Sequence, residues 1–341
     1  MKIRELLAYL ETIAPPAYQE SYDNAGLIVG DAAAEIRGVL VCLDSTEAIV
    51  EEALERGCNL IVAHHPIVFK GLKRLTGSTY VERTVMKAIK HDIAIYAIHT
   101  NLDNVYHQGV NAKIAEKLGL ADTRILAPKA VQQSLSALVP TWSAGSFKRS
   151  LGELGLSAAA ISLVRAGAGQ EQCKVETHFP APLQRQVLQA LAQSLDGQLP
   201  AYQITAVETP HRQVGSGMIG RLPQAMPEAD FLRFLKERMK VACIRHTALR
   251  GKPIETVALC GGAGGFLLGK AIAQQADVFI TADYKYHEFF DADGRILIAD
   301  IGHFESEQFT IELLYDIISQ KFSNFAAYSA KAVTNPVHYF W

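Results

Sequence analysis

The sequence predicts an α/β protein in which two α/β halves form one core and a small α+β domain is inserted between them. Three observations support this class. Short apolar runs alternate with amphipathic helical segments in the first third, the same alternation returns in the last third, and the stretch between them has the pattern of a separate α+β unit. With 341 residues the chain has the length of about two domains. We place the boundaries at residues 1–127, 128–212 and 213–341.

The first third carries three apolar runs that are typical of strands buried on both faces, and two helical segments separate them. The strands are predicted at residues 39–43, 60–63 and 93–98, and the helices at 46–56 and 81–91. Gly57, directly after the first of these helices, is a helix-stop signal. This order predicts three parallel strands.

The last third repeats the pattern, with strands predicted at 256–260, 277–280 and 295–299 and an amphipathic helix from about residue 306 to 320. A glycine-rich segment, residues 261–265, follows the first of these strands. Such a segment can cradle a phosphate group at the start of a helix, and tight packing of strand against helix explains it equally well. Both interpretations stay open.

The middle stretch, residues 128–212, contains a clear helical segment at 182–194 and an alternating strand at 201–208. It contributes few clustered residues of the types used in catalysis. We therefore interpret it as a small inserted α+β unit.

Composition and charge exclude several classes of protein. Hydrophobic residues make up 49% of the chain and charged residues 20%, which is typical of a compact globular protein. The formal net charge of −2 provides no overall field for nucleic acid or for an anionic membrane. No apolar run approaches the roughly 20 residues of a membrane span, and the N-terminus lacks a signal-peptide pattern. Five cysteines without a CxxC pair favour a reducing compartment, so we expect a cytoplasmic protein.

Metal-ligating residue types accumulate where the predicted strands end. Because ligands bind at the carboxyl ends of parallel strands, these side chains are expected to converge. Imidazole with carboxylate, and no thiolate, suits zinc, iron, manganese or nickel. The first half supplies Asp44, His64, His65, His99 and Asp103, and the second supplies Asp283, His287, Asp300, His303 and Glu307.

The spacing of these residues indicates two neighbouring ions. Adjacent His64 and His65 point in different directions at the end of a strand, so they could serve two ions rather than one. His303 and Glu307 are four residues apart, which places both on one helical face if the helix begins at once, or lets Glu307 reach back across a first turn. A carboxylate such as Glu307 or Asp103 can bridge two cations. The composition therefore suggests a dinuclear site.

Other interpretations exist for each element. A His-His pair is often a solvent-facing turn. Asp44 could simply cap the helix that follows it. His99 could orient Asp103, or it could be a histidine satisfied at the end of a strand.

A series of separated motifs resembles one known family, the GTP cyclohydrolase 1 type 2 homologues, also called Nif-three-like dinuclear metal-centre proteins. The match covers both outer thirds in the right order. The motifs are Asp23-Asn24-Ala25-Gly26-Leu27, His64-His65-Pro66, His99-Thr100-Asn101-Leu102-Asp103, Gly261-Gly262-Ala263-Gly264, Gly302-His303 with Glu307, and Asn335-Pro336.

The resemblance implies a Nif-three-like core that holds two divalent metal cations per chain. It places the ligands on His64, His65, Asp103, His303 and Glu307, with Glu307 or Asp103 bridging. His287 matches a family histidine beside the metals and is, with His99, a candidate for proton transfer. The resemblance further implies a hexameric ring of identical chains and a ferredoxin-like insert similar to the PII and CutA fold.

Two classes of function follow. The first is a metal-dependent hydrolase that directs water at a nucleotide-like substrate such as GTP, or a phosphoesterase that uses the same cations on a phosphoester. The second is a non-enzymatic, ring-shaped scaffold that binds metal or a protein partner. Turnover that depends on metal would favour the first class, and a stable partner that survives loss of metal would favour the second.

Overall fold

Internal contacts divide the chain into two units, one made of Met1–Pro128 with Arg212–Trp341 and the other of Lys129–His211. The structure is a computed structural model and describes residues 1–156, 160–165 and 171–340. Within these ranges, every helix lacks the combination of length and apolar character that crossing a bilayer requires. The α/β class predicted from the sequence is confirmed.

The first half of the larger unit alternates strands and helices as predicted. β2, β3 and β4 are buried at every position and pair in parallel, because each is a run of apolar residues that is covered on both faces. The elements are α1 (Ile3–Ile13), β1 (Gly26–Val29), β2 (Gly38–Cys42), α2 (Glu47–Glu55), β3 (Leu60–Ala63), α3 (Tyr80–Lys90), β4 (Ala94–Ala97), α4 (Thr100–Asp103), α5 (Val110–Lys117) and β5 (Ala121–Pro128).

Helix α2 shows why these boundaries fall where they do. The Thr46 hydroxyl accepts a hydrogen bond from the backbone N–H of Ile49 and caps the helix at its start. Beyond its end, Gly57 adopts a φ of +68°, a conformation that glycine takes at little cost. The predicted stop signal at Gly57 is confirmed.

The smaller unit is an antiparallel sheet with helices, in the order β7-β8-β6-β9. Its elements are β6 (Gln132–Pro140), α6 (Thr141–Glu153), β7 (Ala160–Arg165), β8 (Glu171–Pro180), α7 (Gln184–Gln193) and β9 (Tyr202–Val207). Side chains such as Leu135, Phe147, Val175 and Leu191 form its own hydrophobic core. An antiparallel sheet with helices is the α+β pattern that the middle of the sequence indicates.

The second half of the larger unit contains the parallel strands β12, β13 and β14. The predicted single helix at 306–320 is wrong: it is two helices separated by a turn at residues 308–309, and the first begins already at His303. The elements are β10 (Gly215–Met226), α8 (Glu228–Arg238), β11 (Arg245–His246), β12 (Ile254–Leu259), α9 (Leu268–Ala273), β13 (Val278–Thr281), β14 (Leu297–Asp300), α10 (His303–Glu307), α11 (Thr310–Lys321) and β15 (Ala326–Ser329).

Two sheets of the larger unit share one core. Their strand orders are β1-β4-β3-β2-β15 and β11-β14-β13-β12-β10-β5. One hydrophobic cluster joins side chains of the first sheet, such as Val41 and Val62, to side chains of the second, such as Leu259 and Ile280. Both sets of parallel strands therefore end at the same cavity, which residues from both halves line.

Candidate metal centre

A cavity of about 690 Å³ lies at the carboxyl ends of β2, β3, β12 and β14, where loops from the two sheets meet. This is the position at which parallel sheets bind ligands. Side chains of His65, His99, Asp103, His303 and Glu307 line it. The predicted convergence of candidate ligands from the two halves is therefore a feature of the structure.

His64, directly after β3, is fully buried, so the alternative of a solvent-facing turn is wrong for this residue. Its Nδ1 donates to the carbonyl oxygen of Ile98 at 2.8 Å, which leaves Nε2 without a proton. That Nε2 is 3.6 Å from Asp103 Oδ1 and 3.9 Å from Glu307 Oε1. Neither His64 Nε2 nor Asp103 Oδ1 has a hydrogen-bond partner among the described residues, although both are buried. Such atoms are costly, and a ligand placed between them removes the cost.

His65 and His303 meet on the other side of Glu307. His65 Nε2 is 2.9 Å and His303 Nε2 is 3.1 Å from Glu307 Oε2, and the two Nε2 atoms are 3.4 Å apart. The two oxygens of Glu307 thus face different sets of ligands. Two groups of three potential ligand atoms, one with His64 and Asp103 and one with His65 and His303, have Glu307 in common.

All four histidines of the cavity use Nδ1 for an outer hydrogen bond. This arrangement is typical of metal-ligating histidines, because it sets the tautomer and the orientation of the ring. It leaves Nε2 of each ring for the cavity. The outer partners are the Ile98 carbonyl for His64, Asp44 for His65, Asp23 for His99 and Asp283 for His303, at 2.7–2.8 Å.

Protonation in the absence of cations follows from these contacts. Burial would lower the pKa of His65, but hydrogen bonds to Asp44 and Glu307 raise it to about 10. The pKa of His303 rises to about 9 against burial, because Glu307 and Asp283 stabilise its charged form. Hydrogen bonds from His303 and His65 hold the pKa of Glu307 well below its usual range despite burial. Cations at these positions would therefore displace protons from His65 and His303.

Burial shifts the pKa of the remaining two groups, His64 and Asp103, towards their neutral forms. Burial lowers the pKa of His64, so its imidazole is uncharged. Burial and the negative charge of Glu307 raise the pKa of Asp103 well above its usual range.

One alternative from the sequence is wrong. Asp44 does not cap α2, because Thr46 does, and Asp44 instead accepts from His65 Nδ1 and from the Thr334 hydroxyl. His99 Nδ1 pairs with Asp23 at 2.7 Å, and a role of His99 in orienting Asp103 stays a prediction. His99 nevertheless belongs to the cluster, in a group with His64 and His65.

Two predicted candidates are not part of the groups of potential ligand atoms found among the described residues. His287 is exposed on a 3₁₀-helix at Tyr286–Ala292 and is not among the residues that line the cavity. Asp300 is buried and supports the turn before α10: it accepts from the backbone N–H of Gly302 at 3.1 Å and pairs with Arg245.

The glycine-rich segment after β12 packs against the cluster. Gly262 has a φ of +63°, and a Cβ there would lie 2.5 Å from Glu307 Oε1. The N–H groups of Gly261, Gly262 and Gly264 already donate to side-chain oxygens of Asn111, Ser306 and Thr281. Of the two interpretations of this segment, close packing is the one that these contacts favour.

The roles of two residues that support the histidines, Thr334 and Asp23, were not predicted from the sequence. Thr334 carries no local signal, since it lies 290 positions from Asp44 along the chain. Asp23 stands in a motif that the sequence analysis identified, and only its contacts with His99 and Thr100 show what it does.

Comparisons with known proteins agree with this architecture. The sequence model of the Duf34/NIF3 (NGG1p interacting factor 3) family matches residues 1–336. A Staphylococcus epidermidis protein named GTP cyclohydrolase 1 type 2 homolog is 30% identical, over 99% of this chain and 100% of that protein. A Bacillus subtilis protein of the same name is 31% identical, over 88% of each chain.

Solved structures resemble the whole chain. The crystal structure of Staphylococcus aureus protein SA1388 has a TM-score of 0.80 at 31% identity and covers 100% of this chain and 99% of its own. A Bacillus cereus protein related to NIF3 has a TM-score of 0.76 at 30% identity, with the same coverage. The resemblance predicted from the motifs is confirmed at the level of family and fold.

Proposed function

The chain belongs to the Duf34/NIF3 family, and from this membership and the geometry of the cluster we propose that it is a metal-dependent hydrolase with a dinuclear metal centre. The relatives named GTP cyclohydrolase 1 type 2 homolog support a nucleotide-like substrate as the first to test.

One observation carries the proposal of a metal centre. His64 Nε2 and Asp103 Oδ1 are buried, face each other across 3.6 Å and have no hydrogen-bond partner among the described residues. An imidazole nitrogen without a proton and a carboxylate oxygen are good ligands for zinc, iron, manganese or nickel. A cation between them would satisfy both atoms at once.

The division of ligands around Glu307 supports two cations rather than one. His64, Asp103 and one oxygen of Glu307 would hold the first. His65, His303 and the other oxygen of Glu307 would hold the second. Glu307 belongs to both of these groups and Asp103 to only one, so Glu307 rather than Asp103 would be the residue that the two cations share.

The bound cations would lower the pKa of a water molecule towards about 7 and polarise an electrophile. The chain itself supplies a group for proton transfer. Despite burial, hydrogen bonds from His99 and Thr100 hold the pKa of Asp23 at about 2, so Asp23 stays ionised. An ionised Asp23 orients the ring of His99 by accepting the hydrogen bond from its Nδ1. We therefore propose His99 for proton transfer. The role predicted for His287 stays a prediction.

Elemental analysis of gently purified protein tests the centre. We expect about two divalent cations per chain, about one in His65→Ala, and close to none in Glu307→Gln, because an amide has neither the negative charge nor the second ligand oxygen with which Glu307 would serve both positions. His91→Ala is the matched control, since His91 is exposed at the end of α3 and outside the cluster. An unchanged metal content in Glu307→Gln would contradict the shared-ligand arrangement.

Incubation of the metal-loaded protein with GTP and with bis(4-nitrophenyl) phosphate tests the hydrolase. Release of formate from GTP supports the cyclohydrolase type of reaction, and release of nitrophenol supports a phosphoesterase. Either activity should disappear in His303→Ala. If neither product forms while two cations are bound, the hydrolase proposal fails and the metal-binding scaffold replaces it.

The hexameric ring and the PII/CutA-like identity of the insert are further implications of the resemblance. Both stay predictions.

A further inference from the structure

Two exposed aromatic side chains, Tyr22 and Phe69, stand in the wall of the cavity beside the metal centre. We propose that the site takes a ligand with a planar heteroaromatic ring, which stacks on this aromatic shelf (Tyr22 and Phe69) and presents the ring, rather than a phosphate group, to the cations. This inference rests on the proposed function, since it requires cations at the cluster.

The shelf offers open aromatic surface inside a concave site. Tyr22 is 64% exposed and Phe69 is 48% exposed. Their ring centroids are 6.4 Å apart and their planes are 30° from parallel. Aromatic rings of this kind are the usual stacking partners of planar heterocycles.

Hydrogen bonds hold the two loops of the shelf together. The side-chain amide of Asn24 donates to the carbonyl oxygen of Val68 at 2.6 Å, which joins the residues that neighbour Tyr22 and Phe69. Asp23, between Tyr22 and Asn24, is itself bonded to His99 and to the backbone N–H of Thr100. The shelf is therefore fixed to the same residues that orient the metal cluster, so little order has to be created when a ring binds.

A continuous series of rings leads from the shelf to the cluster. The centroid of Phe69 is 6.0 Å from that of His99, at an interplanar angle of 76°. His99 is in turn 5.3 Å from His64 and 5.2 Å from His65, centroid to centroid. A ring that stacks on Phe69 therefore lies beside His99, which is itself in ring contact with His64 and His65.

The formal charge of the described lining residues disfavours an anionic group of the ligand beside the aromatic shelf. Arg245 is the sole lysine or arginine among the described lining residues, and its guanidinium is paired with Asp300. Even with two divalent cations the formal charge of the described lining residues stays negative, which disfavours an anionic group that does not itself bind the cations. The seven carboxylates of the lining are Glu20, Asp44, Asp103, Asp283, Asp300, Glu305 and Glu307.

Positive charge is found outside the cavity wall. Lys70, Lys73 and Arg74 follow Phe69 in the chain, are exposed, and are not among the lining residues. These side chains offer a phosphate favourable charge on the segment that continues from Phe69, outside the lining of the cavity. The arrangement therefore favours hydrolysis at a ring over hydrolysis of a phosphoester.

Calorimetry with the full-length, zinc-loaded protein tests the shelf. We expect guanosine to bind at least 10-fold more tightly than ribose 5-phosphate, and we expect Phe69→Ala and Tyr22→Ala each to weaken guanosine binding roughly 10-fold. Tyr22→Phe should bind as the wild type does. Tyr80→Ala is the matched control, because Tyr80 is equally exposed but lies outside the cavity.

Paramagnetic relaxation in the manganese-loaded protein tests the orientation. With guanosine 5′-monophosphate as the probe and unbound manganese removed, the H8 proton should lie closer to the cations than the phosphorus nucleus. The reverse order, or tighter binding of ribose 5-phosphate than of guanosine, overturns the inference.

Metal content measured on each sample separates the two proposals. Normal metal content without guanosine binding, or with binding unchanged in both shelf variants, overturns the shelf and leaves the metal centre standing. Absence of metal from the wild type overturns both.

Discussion

The histidines of the cluster are all held in the same way, by a hydrogen bond from Nδ1. Each uses Nδ1 to hold a fixed partner and keeps Nε2 for the cluster, so ring orientation is decided outside the cavity. For His65 the chain of contacts is longest: His65 binds Asp44, and Asp44 accepts the hydroxyl of Thr334 at 2.7 Å. Thr334 lies in the C-terminal segment, which is also bonded to Glu305 through Asn335. The last residues of the chain thus help to position a proposed metal ligand.

At this scale we predict a graded loss of metal affinity. Asp44→Ala should weaken the second cation by roughly 10–100-fold, because His65 loses the group that sets its tautomer. Thr334→Val should weaken it less, and Thr334→Ser should preserve it, since serine keeps the hydroxyl. Competition with a chromophoric chelator measures all three. Equal affinity in Asp44→Ala and the wild type would show that this contact has no role in metal binding.

Among the elements, α10 and α3 show how short segments organise the cavity. Gly302, at a φ of +89°, lets the chain turn from β14 directly into α10, which places His303 and Glu307 on one face as their spacing predicts.

At the start of α3, the carboxylate of Glu82 accepts hydrogen bonds from the backbone N–H groups of Thr76 and Ser78. Glu82 therefore bonds the end of the loop that follows Phe69 to the start of α3.

The second prediction concerns this carboxylate. Backbone hydrogen bonds from Thr76 and Ser78 lower the pKa of Glu82 to about 2 in the folded protein, against 4.5 for the free group. A lowered pKa stabilises the fold at pH values above the free value, and this contribution is lost as the pH falls from about 4.5 towards 2.

Glu82→Gln should therefore lower the midpoint of thermal unfolding by a few degrees at pH 7, and the difference from the wild type should shrink on acidification. Glu55→Gln, at an exposed position in α2, serves as the control. A difference that is constant between pH 7 and pH 3 would contradict the assigned cause.

The whole molecule depends on two halves of the chain that are separated by the insert. Proposed ligands His64, His65 and Asp103 come from the first half, and His303 and Glu307 come from the second. The chain leaves the larger unit after β5 and returns before β10, and these strands are antiparallel neighbours in which Pro128 pairs with Gly215. The insert thus occupies the position of a loop between two paired strands.

The third prediction follows from this topology. Replacing residues 129–211 with a short Gly-Ser linker should leave the larger unit folded, with about two cations per chain, because the pairing of β5 with β10 brings the two ends together. Cooperative unfolding and elemental analysis check this. A shortened chain that fails to fold or loses its cations would show that the insert is needed for the core.

The sequence by itself determined the elements and the inventory of the site. Apolar runs predict β2, β3 and β4, because burial on both faces leaves a local pattern, and the spacing of His303 and Glu307 predicts a shared helical face. The glycine-rich segment, the strand ends and the family motifs are equally local signals.

Only the tertiary structure decided which of these groups meet. That Asp44 holds His65 rather than capping α2, that Asp23 holds His99, that Thr334 reaches Asp44, and that Gly262 packs on Glu307 depend on the way two sheets pack around one core. The physical reason is how far apart along the chain the interacting residues lie. Helical and strand periodicity is set by neighbours within a few residues, whereas contacts between groups that are 21 to 290 positions apart arise only from packing.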